Sequence, residues 1–131
     1  MTKVYLAGQP SEYDKWKESF REIKGFEFYD PEIDSDQSSS ETFFPQDLKA
    51  VSEADVLIAN PGLAPSEGTW IEVGYFLALN TKTTGERCKN MIIIWNKERV
   101  PWSIEFVKKA GIIVSTADEA IDKLKEIKCK K

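Results

Sequence analysis

Five short runs of mainly apolar residues constrain the fold of this chain more than any other feature of its sequence. Within them, polar residues do not alternate with apolar ones as they do in a strand that has one face in water. Runs of this kind are typical of strands in a parallel sheet that is covered on both faces. They are Lys3–Gly8, Phe26–Tyr29, Val56–Ala59, Met91–Trp95 and Gly111–Val114.

The segments between these runs carry apolar residues at helical spacing. This alternation predicts an α/β fold: a flavodoxin-like, doubly wound, five-stranded parallel sheet with helices on both faces, in a single domain over residues 1–131. Ligands of such sheets bind beyond the carboxyl ends of the strands, so the loops after Ala7, Tyr29 and Ala59 are predicted binding loops. The first two contain Gly8 and Asp30. The helical positions are Tyr13, Trp16, Phe20 and Ile23; Phe44, Leu48 and Val51; residues 69–79; Ile104, Phe106 and Val107; and Ala117, Ala120, Ile121, Leu124 and Ile127.

Missing residue types and motifs exclude several classes of enzyme. The chain has no histidine, which excludes histidine-dependent nucleophilic triads and imidazole metal ligands. Proton transfer therefore falls to carboxylates or tyrosines. The sequence also lacks a phosphate-binding P-loop, and the turn at Gly8 lacks the glycines of a dinucleotide-binding motif. We expect no metal and no organic cofactor.

Charge and apolar content predict a soluble protein of the cytoplasm. No apolar stretch is long enough to span a membrane, and the first residues carry no signal-peptide pattern. Cys88 and Cys129 have no paired spacing, which suits a reducing compartment. The formal net charge is -4, so we interpret the lysines from Lys123 onward as a solvated tail and expect neither a nucleic-acid nor a membrane partner.

The helical segment 68–79 is apolar on every side apart from one carboxylate, Glu72. Burial of a carboxylate is costly unless it is paired or protonated, and burial raises its pKa. Glu72 is either a site carboxylate beside the ligand cleft or the acid of a capping box whose N-cap residue is Thr69. Both can hold together, because a helix N-terminus favours an ionised acid.

Further candidates each have a structural alternative. Asp47 lies near the predicted start of helix two, where the helix dipole favours a first-turn acid in any case. Tyr5 is either a core residue of the first strand or a phenol that reaches a neighbouring helix terminus. Asp30 precedes a proline and also suits a turn. Trp70, two residues after Gly68, is either a core residue or a ligand contact.

Several motifs occur along the chain in a fixed order. They are Val4-Tyr5-Leu6-Ala7-Gly8, Asp30-Pro31, Gln46-Asp47-Leu48, Ala54-Asp55-Val56 and Gly68-Thr69-x-x-Glu72-Val73-Gly74-Tyr75 followed by Ala78-Leu79. Together they resemble the nucleoside 2-deoxyribosyltransferase family, and the similarity extends from Lys3 to about Val114.

The resemblance implies an enzyme that cleaves the N-glycosidic bond of a 2'-deoxynucleoside through a covalent deoxyribosyl-glutamate. The deoxyribosyl group then passes to a second nucleobase. Glu72 matches the family nucleophile, Tyr5 matches the residue that orients it, and Asp47 matches an acid near the sugar. The motif glycines Gly8 and Gly68 fall in the substrate-binding segments.

The resemblance also implies a homodimer or a higher homo-oligomer whose active sites are completed across subunits. The aromatic residues Phe43, Phe44 and Trp102 are candidates for the interface. They suit a hydrophobic core equally well.

Two serines depart from the transferase pattern. Ser66 stands where transferases carry an aspartate, and Ser103 stands where they carry an asparagine that serves a neighbouring subunit. Serines at both positions resemble the related 2'-deoxynucleoside 5'-monophosphate N-glycosidases, in which they contact the phosphate and water is the acceptor. We expect a transferase, since residues 68–79 are closer to that branch. The alternatives are the monophosphate N-glycosidase and a non-catalytic nucleotide-binding module in which Glu72 only caps its helix.

Overall fold

The described residues form one sheet whose strands are all parallel. The computed structural model describes residues 1–8, 15–62, 66–81, 88 and 90–128. The strands are β1 (Thr2–Gly8), β2 (Phe26–Tyr29), β3 (Val56–Asn60), β4 (Met91–Ile94) and β5 (Ile112–Val114). Their order in the sheet is β2-β1-β3-β4-β5, and every neighbouring pair is parallel. This confirms the predicted flavodoxin-like order.

Helices from the described ranges lie on both faces of the sheet. They are α1 (Trp16–Arg21), α2 (Pro31–Asp34), α3 (Ser40–Glu53), α4 (Glu67–Asn80), α5 (Trp102–Ala110) and α6 (Ala117–Lys128). Helices α1 and α6 bury Phe20 and Leu124 on one face, whereas α3, α4 and α5 pack around Phe76 on the other. Each strand contributes residues to both faces, for example Leu6 to the first and Tyr5 to the second. The strand sequences lack polar alternation because neither face is open to water.

Helix α3 begins earlier than its apolar pattern predicts. It starts at Ser40 because Ser39 and Thr42 form a capping box before it. Pro45 lies inside the helix, where a missing N–H normally favours a helix start. Asp47 is therefore a mid-helix residue, and its interpretation as a first-turn acid is wrong.

The short helix α2 is absent from the sequence prediction, which has a turn and a loop after β2. Asp30 caps this helix by accepting a hydrogen bond of 3.1 Å from the backbone N–H of Glu32. Pro31 occupies the first helical position, where its fixed φ is favourable. The predicted turn-forming role of Asp30 is thus the capping of a helix.

Helix α4 begins at Glu67 and not at Thr69, so the predicted capping box is wrong. Its N-cap residue is Ser66, which has the left-handed backbone angles φ 52 and ψ 44. Thr69 is already inside the helix and buried. The interpretation of Glu72 as a capping acid is therefore excluded.

The carboxyl ends of β1 and β3 lie side by side at one edge of the sheet, where ligands of such folds bind. Gly8 ends β1 with φ +142, and a Cβ atom at this position would clash with the carbonyl oxygen of Asn60 at the end of β3. Only glycine combines this conformation with so close an approach of two strands. The carboxyl edge of the sheet therefore carries no side chain at position 8.

Some predicted features lie outside the described residues. These are Tyr13 of the first helical pattern, Cys129, and Lys130 and Lys131 of the basic tail. In the ranges that are described, each helix falls short of the length and apolar character needed to cross a bilayer.

Candidate active site

A tyrosine and a glutamate that are distant in sequence form a direct contact on one face of the sheet. The hydroxyl of Tyr5 on β1 donates a hydrogen bond to Oε2 of Glu72 on α4. Tyr5 is fully buried, and its ring stacks on that of Tyr29 in β2, with 5.5 Å between ring centroids. This stack holds the phenol in place, so the hydrogen bond orients the Glu72 carboxylate.

Burial raises the pKa of Glu72 to about 7. The hydrogen bond from Tyr5 and the positive charge of Lys17 act in the opposite direction, while the Asp47 carboxylate adds to the increase. A carboxylate with few water contacts is a stronger nucleophile than an exposed one when it is ionised. Perturbed acids of this kind occur preferentially at functional sites.

Asp47, from α3, is buried with one carboxylate oxygen unsatisfied. The residue is 7% exposed, and its Oδ1 accepts no hydrogen bond from the described part of the chain. Burial raises the pKa of Asp47, and hydrogen bonding from the hydroxyls of Ser35 and Tyr29 partly offsets this increase. A buried acceptor without a donor costs about 1–3 kcal/mol. A hydroxyl group of a ligand would remove this cost.

A cavity of about 410 Å³ contains most of the predicted site residues. This volume lies within the range of small-molecule sites, and the Tyr5 hydroxyl lies directly behind it, against Glu72. The predicted residues that line the cavity are Gly8, Asp47, Ser66, Gly68 and Glu72. We call this cavity the carboxylate pocket.

The N-terminus of α4 forms one side of the carboxylate pocket, through Ser66, Gly68 and Thr69. The hydroxyl of Ser66 donates a hydrogen bond to the carbonyl oxygen of Pro61, which helps to hold its left-handed conformation. The space around the Cα of Gly68 is open. The first turn of a helix carries free N–H groups and a partial positive charge, so this side of the pocket favours an anion.

Asp30, a predicted substrate-binding residue, lies behind the pocket wall and does not line the pocket. Its Oδ1 accepts a hydrogen bond of 2.8 Å from Nζ of Lys17, and its Oδ2 accepts one from Arg21. Burial alone would raise the pKa of Asp30, but these two cations outweigh burial and hold it below its ordinary value. Both oxygens of the Asp30 carboxylate thus bind cationic side chains of the protein itself, Lys17 and Arg21.

Trp70 and Ser103 line a different cavity, an apolar groove of about 770 Å³ between α4 and α5. Trp102 lies in the same groove and is 82% exposed, so its interpretation as a core residue is wrong. Phe44 is also exposed, although it lines the carboxylate pocket. The expected homo-oligomer stays a prediction.

Sequence reasoning missed two charged residues of the carboxylate pocket, Lys17 and Glu32. Lys17 adjoins Trp16 and lies four residues after Tyr13, so its position borders the apolar stripe of the first helix. A lysine at the border of an apolar stripe is the sequence feature from which its burial could have been predicted. Glu32 lies on α2, a helix that the sequence prediction lacks.

Comparisons with known proteins give one informative similarity. No protein-family model and no curated protein sequence matches the chain. Among solved structures, the chain is similar to that of the Clostridium botulinum CMP N-glycosidase BcmB, with a TM-score of 0.60 and 27% sequence identity. The similarity covers 95% of this chain and 99% of that chain. An N-glycosidase cleaves the same type of bond that the sequence motifs imply for this chain.

Proposed function

We propose that this protein cleaves the N-glycosidic bond of a nucleotide or nucleoside, with Glu72 as the nucleophile. The observation that carries the proposal is the Glu72 carboxylate, held by Tyr5 at the wall of the carboxylate pocket. A desolvated and oriented carboxylate suits attack on a centre that develops positive charge, as in retaining glycosidases. The similarity to a CMP N-glycosidase over nearly the whole chain supports this class of reaction.

The reaction has two halves. In the first, an oxygen of Glu72 bonds to the anomeric carbon while the bond from that carbon to the base nitrogen breaks, and the base takes up a proton. Because the chain has no histidine, water or a carboxylic acid supplies that proton. In the second half, water or a second nucleobase bonds to the anomeric carbon, the bond from that carbon to the Glu72 oxygen breaks, and the acceptor releases a proton to solvent or to a carboxylate.

Two features of the pocket favour binding of a sugar that carries an anion. The unsatisfied Oδ1 of Asp47 can accept a hydrogen bond from a sugar hydroxyl. The N-terminus of α4, with Ser66 as its N-cap, suits a phosphate group. A nucleoside monophosphate satisfies both features at once.

The preferred assignment is therefore a nucleoside 5'-monophosphate N-glycosidase with water as the acceptor. Ser66 at the α4 N-terminus favours it over the transferase that the sequence predicts, and a CMP N-glycosidase is the similar structure. The similar enzyme acts on a ribonucleotide, so the sugar is not restricted here to 2'-deoxyribose. Transfer to a second nucleobase stays the alternative.

A chromatographic assay distinguishes these functions. The purified protein is incubated with CMP, dCMP or deoxycytidine, each with and without free adenine. Free cytosine together with a sugar phosphate, or with free deoxyribose from deoxycytidine, means hydrolysis. A new adenine nucleotide from CMP or dCMP, or a new adenine nucleoside from deoxycytidine, means transfer. Binding of nucleotide without release of base would refute both and favour the non-catalytic module.

Substitution Ser66→Gly tests whether this side of the pocket holds the phosphate. Glycine accepts the left-handed conformation without strain and removes the hydroxymethyl side chain, together with its hydrogen bond to the carbonyl oxygen of Pro61. Under the proposal, the Ser66 hydroxyl turns from the carbonyl oxygen of Pro61 to the phosphate when the substrate binds. We therefore expect KM for the monophosphate to rise about 10-fold, the typical effect of one hydrogen bond to a charged group, with KM for deoxycytidine unchanged. Equal KM changes for both substrates would show that Ser66 does not contact phosphate.

Substitution Tyr5→Phe removes the hydroxyl that orients Glu72 and leaves the stacked ring. We expect kcat for base release to fall about 10- to 100-fold, because the carboxylate loses its fixed direction. The pH at which activity is half-maximal should rise, since this hydrogen bond lowers the pKa of Glu72.

Tyr29→Phe is the matched control for this substitution, because Tyr29 is the stacking partner and the Glu72 bond comes from Tyr5. We expect kcat to fall less in Tyr29→Phe than in Tyr5→Phe. Full activity of Tyr5→Phe would mean that Glu72 needs no phenol.

A further inference from the structure

A lysine side chain is buried in the wall of the carboxylate pocket. Lys17 on α1 is 1% exposed, and it lines the pocket together with Glu72 and Asp47. Among the described residues that line the pocket, Lys17 is the only cation, whereas Glu32, Asp47 and Glu72 are acids. A buried ammonium group is costly, so its position calls for a physical explanation.

The ion pair with Asp30 explains only part of this burial. Asp30 is shared between two cations, since Lys17 lies 2.8 Å from Oδ1 and Arg21 bonds to Oδ2. One carboxylate between two cations leaves a surplus of one positive charge. Glu32 lies farther from Lys17, at 3.9 Å, and its side chain is 32% exposed, so it is a weaker partner.

We propose that Lys17 is a positioning residue of the active site, whose buried ammonium group in the pocket wall favours the ionised form of Glu72 that attacks the sugar. This inference rests on the proposed function for its catalytic meaning. The Lys17 charge acts against burial, which dominates the environment of Glu72, and it acts in the same way on Asp47. Without this cation, two buried carboxylates in one pocket would favour protonation of one of them.

In the part of the chain that the structure describes, few other charges surround Glu72. Helix α4 packs on α3, β1, β3 and β4, and the described residues of β3 and β4 carry no titratable side chain. The titratable groups that the described residues place around the pocket are Tyr5 on β1, Lys17 on α1, Tyr29 on β2, Asp30 before α2, Glu32 and Asp34 on α2, and Asp47 on α3. Lys17 is therefore the group that offsets the negative charges of the pocket.

A purely structural role of Lys17 makes a different prediction. In that case Lys17 only fixes α1 to Asp30, and its loss would reduce stability without changing the ionisation of Glu72. The test therefore measures the pKa of Glu72 directly. It uses ¹³C NMR of protein labelled at the glutamate carboxyl carbon, with the Glu72 signal assigned by its absence from Glu72→Gln.

Four proteins are titrated: wild type, Lys17→Met, Lys17→Arg and the control Arg21→Met. We expect the pKa of Glu72 to rise by at least about half a pH unit in Lys17→Met, to stay within about 0.2 in Lys17→Arg, and to stay unchanged in Arg21→Met. Arg21 also binds Asp30, but it does not line the pocket. An unchanged pKa in Lys17→Met would overturn the proposal.

The double variant Lys17→Met with Asp30→Asn keeps the test decisive if Lys17→Met does not fold. It removes both charges of the buried pair, which proteins often tolerate. Loss of the Asp30 charge by itself favours the ionised form of Glu72, so the reference for the double variant is Asp30→Asn alone. A higher pKa of Glu72 in the double variant than in Asp30→Asn supports the proposal, and an equal pKa overturns it.

Activity assays then separate this inference from the proposed function. In an active enzyme, the acid limb of the pH dependence of kcat/KM should move upward in Lys17→Met, by the same amount as the NMR pKa. A wild-type protein that releases no base refutes the proposed function, while the NMR titration still decides the effect of Lys17 on Glu72.

Discussion

Substitution Glu72→Gln should reduce base release by about 10³-fold or more, because the amide cannot form the ester with the anomeric carbon. The change keeps the size of the side chain, and the amide can still accept the hydrogen bond from Tyr5. The measurement is the rate of base release from CMP and dCMP by chromatography. Mass spectrometry of acid-quenched wild type should show the added sugar phosphate, and this adduct should be missing from Glu72→Gln.

Glu126→Gln is the control for this loss, since it removes an exposed carboxylate on α6. We expect it to retain wild-type activity. Glu72→Gln with more than a tenth of the wild-type rate would exclude Glu72 as the nucleophile.

The same substitution should stabilise the protein at alkaline pH. Burial raises the pKa of Glu72 to about 7. The free energy of unfolding of the wild type therefore falls as the pH rises from the ordinary glutamate pKa through about 7, because ionisation of Glu72 is less favourable in the folded protein. We expect Glu72→Gln to increase the free energy of unfolding by roughly 1–3 kcal/mol at pH 8 and to leave it unchanged below about pH 4.5. Urea denaturation at the two pH values measures this difference.

The fold was predictable because the strand sequences themselves show that both faces of the sheet are covered. Residues such as Leu6 and Tyr5 face opposite layers of helices, and both layers are apolar. A run without polar alternation therefore identifies a strand between two layers, and intervening helical segments require parallel neighbours. These arguments need only local sequence.

The start of α4 was not predictable from local sequence. Thr69 and Glu72 have the spacing of a capping box, but the helix begins earlier because Ser66 adopts a left-handed conformation. The Ser66 hydroxyl bonds to the carbonyl oxygen of Pro61, five residues earlier in the connection from β3, and helix propensity does not encode such a contact. Serine seldom adopts positive φ, so the sequence gives no signal for it.

The charged part of the site also depends on tertiary contacts. The buried position of Lys17 needs Asp30, which lies 13 residues later in the chain and is placed by the end of β2. The contact between Tyr5 and Glu72 spans 67 residues, and only the family resemblance indicated it. Sequence reasoning therefore identified the nucleophile candidate more readily than the residues that set its charge.

Substitution Asp30→Ala should destabilise the protein by about 3–5 kcal/mol at pH 7, because it leaves Lys17 buried without its main partner. Lys17 and Asp30 are 1% and 4% exposed, so water cannot replace the lost carboxylate. The N-terminus of α2 also loses its capping acceptor. Urea denaturation measures the loss, and Arg21→Met serves as the control. Arg21 is 35% exposed, and we expect its removal to cost less than about 1 kcal/mol.

Two further measurements show whether the buried charge of Lys17 causes the loss of stability in Asp30→Ala. The double variant Lys17→Met with Asp30→Ala should recover most of the stability, since it has no unpaired charge in the core. The pH dependence gives the second test, because the pKa of Asp30 lies below its ordinary value in the folded protein. Its stabilising effect should be complete above about pH 4 and should be lost as the pH falls through the folded pKa. A loss that persists in the double variant would instead assign the effect to the α2 cap.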